Sequence, residues 1–399
     1  MPHVPHIVIV GAGVFGGWTA LSLLRQQSGG PSEVTLIDAW GPGNPQSSSG
    51  GETRIIRTTY GSRSVYTRMA ADAMDRWREY DTRWDAGLMH RTGVLWMNGG
   101  MDEFAQASHR SLVDAGIPVE WWSPEDLRRR FPQIGLDGVS SALFEPEAGY
   151  LHASRACTHV VERFVAEGGA YLAGTAATPI LVTDPPAPSP GQEGLKSLQL
   201  RDGSAISADV FVFACGPWLG TMFPDVLGSR ITSTRQEVTY FQTPAGNRSF
   251  DAASLPVWLE LSDHVMYGIP GNARHAFKIG DDTTGPAFDP TTGDRSATPE
   301  VIATMRGYMR RRFPLMADAP YVGTEVCQYE ATADSDFIID RHPDAPNVWL
   351  VGGGSGHGFK FGPVIGPMVA RAILTDTSAD PMFGLARFSS KTESQEKWV

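Results

Sequence analysis

A chain of 399 residues exceeds one simple domain and points to two. A hydrophobic content of 41% can build a sizeable core, and a net charge of −11 argues against nucleic acid or an anionic membrane surface as partner. Three cysteines, Cys157, Cys215 and Cys327, are too few and too odd in number for a disulfide framework, and they favour a reducing, cytoplasmic setting.

His6 to Val10 is a continuous apolar run and predicts a buried strand. It leads into Gly11-Ala-Gly13-Val-Phe-Gly16, then an amphipathic segment, then a second strand ending at Asp38, 22 positions after Gly16. This is the pattern G-x-G-x-x-G between strand and helix. Its glycines permit a tight turn and close approach to a pyrophosphate, and the later carboxylate suits ribose hydroxyls. The pattern predicts a dinucleotide site and does not choose between FAD and NAD.

The stretch Ser47-Ser-Ser-Gly-Gly-Glu-Thr-Arg54-Ile-Ile-Arg57 sets two arginines around two isoleucines. Inward-facing arginines are costly unless paired with anions; outward-facing ones make a solvated basic turn. Helices are expected over 65–80 and 103–115, with another opening at Ser123-Pro-Glu-Asp126, where Ser caps and Pro sits in the first turn. Residues 90–148 read as an insertion with strands of their own. A helix over 154–167, a proline-rich connection over 184–194, a hairpin turn at Asp202-Gly203 and a strand over 210–214 follow.

From Ile231 to Asp282 the alternation of Val238, Tyr240, Trp258, Val265 and Tyr267 predicts an antiparallel sheet. Lys278 stands in it between Phe277 and Ile279, facing a cavity or snorkelling outward. Near the C-terminus, Phe337–Ile339 and Val348–Val351 are short buried strands. The second runs into a glycine cluster that includes Gly354, Gly356 and Gly358, followed by Phe359, Lys360 and a helix over 361–373. A strand, a glycine turn and a helix N-terminus together suit an electron-rich ligand. Cys327, taken alone, is an ordinary core thiol.

The spacing C-x-Y-x-x-T-x-D-x-x-F-I-I-D-x-H-P from Cys327, followed by S-G-H-G-F-K-F from Ser355, resembles the monomeric sarcosine oxidase and N-methyltryptophan oxidase family. The run T-R-I-I-R from Thr53 matches it as well, and the resemblance extends along the whole chain. It implies a D-amino-acid-oxidase fold of mixed α/β type (α+β overall). A Rossmann-like FAD-binding domain would come from 1–89, 149–225 and 321–399. A mostly antiparallel substrate domain would come from 90–148 and 226–320. It also implies FAD joined covalently to Cys327, with Gly11, Gly13, Gly16, Asp38, Arg54, Gly354, Gly356, Gly358, Phe359 and Lys360 around the cofactor. Arg57 and Lys360 would hold a substrate carboxylate, Lys278 would promote reaction with O2, and Tyr267 and Asp282 would line the substrate cavity.

The activity implied is oxidation of a secondary amine. Hydride passes to the flavin, the imine hydrolyses, and O2 becomes H2O2, with no metal involved. The expected partners are a small amine or amino acid and O2, with no nucleic acid or membrane partner, acting on a monomer. Two departures bear on the substrate. Gly50 and Asp282 stand where simple sarcosine oxidases carry histidines, and K-I-G-D-D from Lys278 is similar to the K-I-x-D-E of fructosyl amino acid oxidases. Glu330 adds another acid, expected with Asp282 near a substrate amine or hydroxyls. A fructosyl amino acid oxidase, or a flavin amine dehydrogenase with a protein acceptor, is the alternative.

Overall fold

The computed structural model describes residues 4–26, 33–174, 194–271 and 276–389. Most of the proline-rich connection expected over 184–194 lies outside these residues.

A six-stranded sheet carries the glycine motif. Its order is Ile338–His342, Ala345–Gly352, Val210–Phe213, His6–Val10, Glu33–Asp38 and Ala170–Ala173. All neighbours are parallel except the first pair. The strands are apolar runs rather than alternations because helices cover the sheet. Helix Val14–Arg25 packs there against both Ala153–Ala166 and Gly362–Leu374. The approach of the first and last is close. A Cβ at Gly362 would come within 2.3 Å of the Trp18 ring, and one at Gly366 within 2.5 Å of the Trp18 backbone.

An eight-stranded sheet runs Tyr321–Thr332, Ile231–Phe241, Phe277–Asp281, Val265–Ile269, Val257–Leu261, Val94–Asn98, Ser141–Glu145 and Glu120–Trp122. It is antiparallel apart from Val257–Leu261 against Val94–Asn98. Tyr321–Thr332, from a segment expected with the glycine-motif strands, thus pairs along Ile231–Phe241.

Side chains alternate across this sheet. Trp258, Met266, Phe277 and Ile279 point to one face, where Met305, Tyr308 and Met309 of helix Pro299–Arg312 bury them. The register puts Cys327 opposite Gln236, and Lys278 opposite Tyr240. It also sets Tyr267 opposite Gly280, so Cys327, Lys278 and Tyr267 share the other face, toward the glycine-motif body. A small sheet of Thr53–Ile56, Gly149–His152 and Met89–His90 lies at this junction.

Ser123 caps helix Pro124–Arg130 by a reciprocal capping box with Asp126. Asp202-Gly203 turns a short hairpin between Ser197–Gln199 and Ala205–Ser207. Among the described residues, no helix is long and apolar enough to cross a membrane.

Candidate active site

The first cleft opens at the carboxyl ends of the parallel strands, where open α/β sheets bind ligands. Gly11, Gly13, Asp38, Arg54, Gly354, Gly356, Gly358 and Phe359 all line it. Gly11 adopts φ 106°, and a Cβ there would meet the Ala214 carbonyl at 2.4 Å. Gly16 works differently: a Cβ would lie 1.8 Å from the Gly11 oxygen, so this glycine lets the helix sit against the turn. The helix begins at Val14, whose N–H donates to the Ser49 hydroxyl at 3.0 Å, and its positive N-terminal end lies at this cleft, where it suits a phosphate. Asp38 accepts from Ala12 N at 2.7 Å, Trp40 N at 2.8 Å and Gly41 N at 2.7 Å. Those bonds aim the carboxylate at the cleft's edge.

A second cleft continues from the first through Ser47, Arg54, Tyr329 and Gly356, and Cys327 and Tyr267 line it. Arg54 is the hinge of the two. Its guanidinium donates to the carbonyls of Thr53 at 2.8 Å, Ser48 at 3.0 Å and Gly50 at 2.8 Å, and to Cys327 Sγ at 3.3 Å. Lys278 is 3% exposed, and its Nζ donates to the Thr53 carbonyl at 2.9 Å. Burial, helped by the Arg54 charge, pushes Lys278 down to about 7.

Arg57 and Lys360 meet at an aromatic ring. The Arg57 guanidinium lies 4.5 Å from the Tyr60 centroid and 4.9 Å from Trp96, while Lys360 Nζ lies 5.1 Å from Tyr60. Both cations are buried. Lys360 donates to the His357 carbonyl at 3.0 Å, and burial plus the Arg57 charge hold it well below the usual lysine range. His357 is also depressed, first by burial and then by Lys360. Its Nε2 faces the Ser335 carbonyl at 2.9 Å, which assigns the ring proton to that nitrogen.

Asp282 accepts from the Tyr329 hydroxyl at 2.6 Å. Its charge also acts to raise Lys360, which puts it in the same neighbourhood. Glu330 does not join Asp282. It follows Tyr329 by one residue on a strand and so points the other way, with Oε1 accepting from Gly354 N at 3.1 Å in the first cleft. The expectation that both acids meet the substrate is corrected by that alternation.

Nothing in the sequence singles out Glu145, yet it organises the Arg57 segment. Buried at 1% exposure, it accepts from Thr58 N at 2.7 Å, Thr59 Oγ1 at 2.6 Å and Trp96 Nε1 at 2.8 Å, and from the Thr58 hydroxyl. An acid at the end of an apolar strand, S-A-L-F-E, is the faint signal it leaves.

The family model for "FAD dependent oxidoreductase" matches residues 6–372. This chain belongs to that family. Monomeric sarcosine oxidase from Bacillus sp. (strain B-0618) is 27% identical over 373 residues, covering 92% of each chain. N-methyl-L-tryptophan oxidase from Yersinia pestis (strain Pestoides F) is 27% identical over 398 residues, covering 96% of this chain and 99% of its own. Among solved structures, L-proline dehydrogenase from P. horikoshii superposes with a TM-score of 0.80 at 21% identity, covering 98% of this chain and 99% of that one. A fructosyl peptide oxidase, a thermally stable mutant, follows at 0.79 and 21%, covering 98% and 94%. These two establish the mixed α/β fold. The cofactor of this FAD-dependent oxidoreductase fits the first cleft: the glycines at 11, 13, 354, 356 and 358 leave its turns free of side chains, and the N-terminal end of the helix that starts at Val14 suits a diphosphate.

Proposed function

We propose that this enzyme oxidises secondary amines that carry a carboxylate, N-alkyl amino acids above all, and passes the electrons to O2. The observation that carries the reading is the pair of buried basic side chains, Arg57 and Lys360, at Tyr60. Two basic groups beside one ring suit a carboxylate, which both could contact and which would fix the substrate's orientation. FAD supplies the two-electron oxidation of the C–H bond next to the amine nitrogen. The protein's own share is binding, orientation and charge. Arg57 and Lys360 hold the acid. Tyr60 and Trp96 pack against the Arg57 guanidinium and keep water from it. Lys278, protonated on Nζ, stabilises negative charge developing on oxygen. The names of the curated relatives support N-methyl amino acids as the substrate class.

Cys327 is proposed as the covalent anchor of the FAD. Its sulfur accepts from Arg54 at 3.3 Å and lines the second cleft, which continues from the first. The six-stranded sheet and its helices are proposed as the cofactor-binding domain and the eight-stranded sheet as the substrate domain, in a monomeric enzyme.

Asp282 favours a second reading. It stands where a simple sarcosine oxidase has histidine and is held by Tyr329, so it offers a carboxylate to a substrate ammonium or sugar hydroxyls. That is the fructosyl amino acid oxidase alternative.

An aerobic peroxide assay across sarcosine, N-methyltryptophan and fructosyl amino acids, each beside its decarboxylated analogue, tests both. Turnover of the acid and not of its analogue supports the clamp. Equal turnover overturns it. Flavin reduction without peroxide would assign a dehydrogenase instead.

A further inference from the structure

Glu330 is a carboxylic acid inside a cofactor cleft, without an ionic partner among the described residues. It is 7% exposed and lines the same cleft as Gly11 and Gly13. Oε1 is held by Gly354 N, while Oε2 has no hydrogen-bond partner among the described residues. A Cβ at Gly354 would lie 3.1 Å from Oε1, and one at Gly352 3.3 Å from Oε2. One at Gly216 would lie 3.9 Å from Oε2. The carboxyl group therefore sits between two turns that each follow a parallel strand, Val210–Phe213 and Ala345–Gly352. Its placement is built. Ser355 N donates to the Glu330 carbonyl at 3.0 Å, and Ser355 Oγ accepts from Thr332 N at 3.2 Å, clamping the glycine turn to the strand's end.

The charges around the cleft are engaged elsewhere. Asp38 accepts from three backbone N–H groups, and Arg54 donates to three carbonyls and the Cys327 sulfur. The Cys215 thiol donates to the Val10 carbonyl at 3.4 Å and is pushed well up by burial, then by Asp38 and Glu330. His357 and Lys360, on the far part of the glycine turn, face Ser335 and Tyr60. No cation is paired with Glu330 among the described residues. A carboxylate beside a dianionic dinucleotide, in a cleft that FAD would dry, is unfavourable; the protonated acid is a donor. Burial already pushes this carboxyl up to about 7, against the opposing pull of the Gly354 and Gly353 N–H groups.

We propose that Glu330 contacts FAD as a neutral carboxylic acid, donating its O–H to an acceptor atom of the cofactor, so that FAD binding draws one proton from solvent onto this side chain. The inference rests on the cleft holding FAD and not on the identity of the amine.

The test uses the full chain carrying Cys327→Ala, so that FAD binding is reversible, and reads the dissociation constant from flavin fluorescence between pH 6 and 9. One-proton linkage predicts that the constant rises about tenfold per pH unit above 7. Glu330→Gln, which keeps a donor and cannot ionise, should bind as the parent does at pH 6 and lose the slope. Glu330→Ala should bind about five- to tenfold more weakly at pH 6, through the lost hydrogen bond. A parent constant that does not change with pH, or a slope that survives in Glu330→Gln, overturns the inference. Should the Gln variant fail to fold, calorimetry of the parent in two buffers of different ionisation enthalpy decides. Uptake of a proton at pH 8 and none at pH 6 supports it, and none at either overturns it. A parent that binds no FAD at any pH overturns the cofactor assignment of the cleft as well.

Discussion

Arg54 and Cys327 are 273 residues apart in sequence, and the Arg54 guanidinium donates to the Cys327 sulfur across 3.3 Å. The contact joins the first cleft to the second and puts a fixed positive charge beside the nucleophile proposed to carry the flavin. Acid-precipitated protein should therefore keep its yellow colour, and Cys327→Ala should release all of it to the supernatant. Arg54→Met should slow attachment by roughly tenfold or more, because the sulfur loses the hydrogen-bond donor that positions it. A colourless wild-type pellet would count against the bond to Cys327.

Lys278 should separate the two half-reactions. Lys278→Met is expected to slow reoxidation by O2 about a hundredfold or more, while anaerobic reduction by substrate changes far less. The ammonium is the working form and its folded pKa is about 7, so the oxidative rate should fall as pH rises through that value. Stability runs the other way. A lysine depressed below its unfolded value costs nothing above about 10.5, costs increasingly as pH falls, and costs most below about 7. Lys278→Met should thus melt higher than wild type at pH 7. Stopped-flow traces and melting curves check the pair, and equal loss in both half-reactions would make the lysine structural.

Arg57→Ala should raise KM by roughly tenfold to a hundredfold and also lower kcat, since the clamp supplies orientation as well as affinity. Simple carboxylates should compete with substrate in the wild type and lose that competition in the variant. Steady-state kinetics with an inhibitor series gives the answer, and unchanged constants would remove Arg57 from the site.

Glu145→Ala leaves several buried donors without their acceptor, each worth about 1 to 3 kcal/mol. A loss of about 3 kcal/mol or more is expected by denaturant titration, together with a raised KM as the Arg57 segment loosens. Glu145→Gln should recover part of both. Full stability in Glu145→Ala would mean that Thr58, Thr59 and Trp96 are satisfied without it.

Gly16→Ala should abolish FAD retention, because the new Cβ meets the Gly11 carbonyl at 1.8 Å and the helix must move off the turn. The flavin content of the purified protein reads this directly, and a normal content would show that the turn can yield.

Local physics made part of this protein legible from its residues alone. The glycines after His6–Val10 and the acid ending the next strand announce a dinucleotide site, because the steric demands of that turn leave few other residues possible. The strands and helices around them follow from apolar periodicity. Strand alternation could also separate Tyr329 from Glu330, since neighbours in a strand must face opposite ways.

Which of the two faces turns to the Cys327 cleft was a matter of tertiary structure. It depends on the register of Tyr321–Thr332 against Ile231–Phe241, and residues about ninety positions apart settle that register. The meeting of Arg57 with Lys360 at Tyr60, and the acid Glu145 behind them, likewise required the chain's ends and middle to fold onto one another. A buried charge is tolerated only by the partners that packing brings to it, and those partners carry no signature in the local sequence.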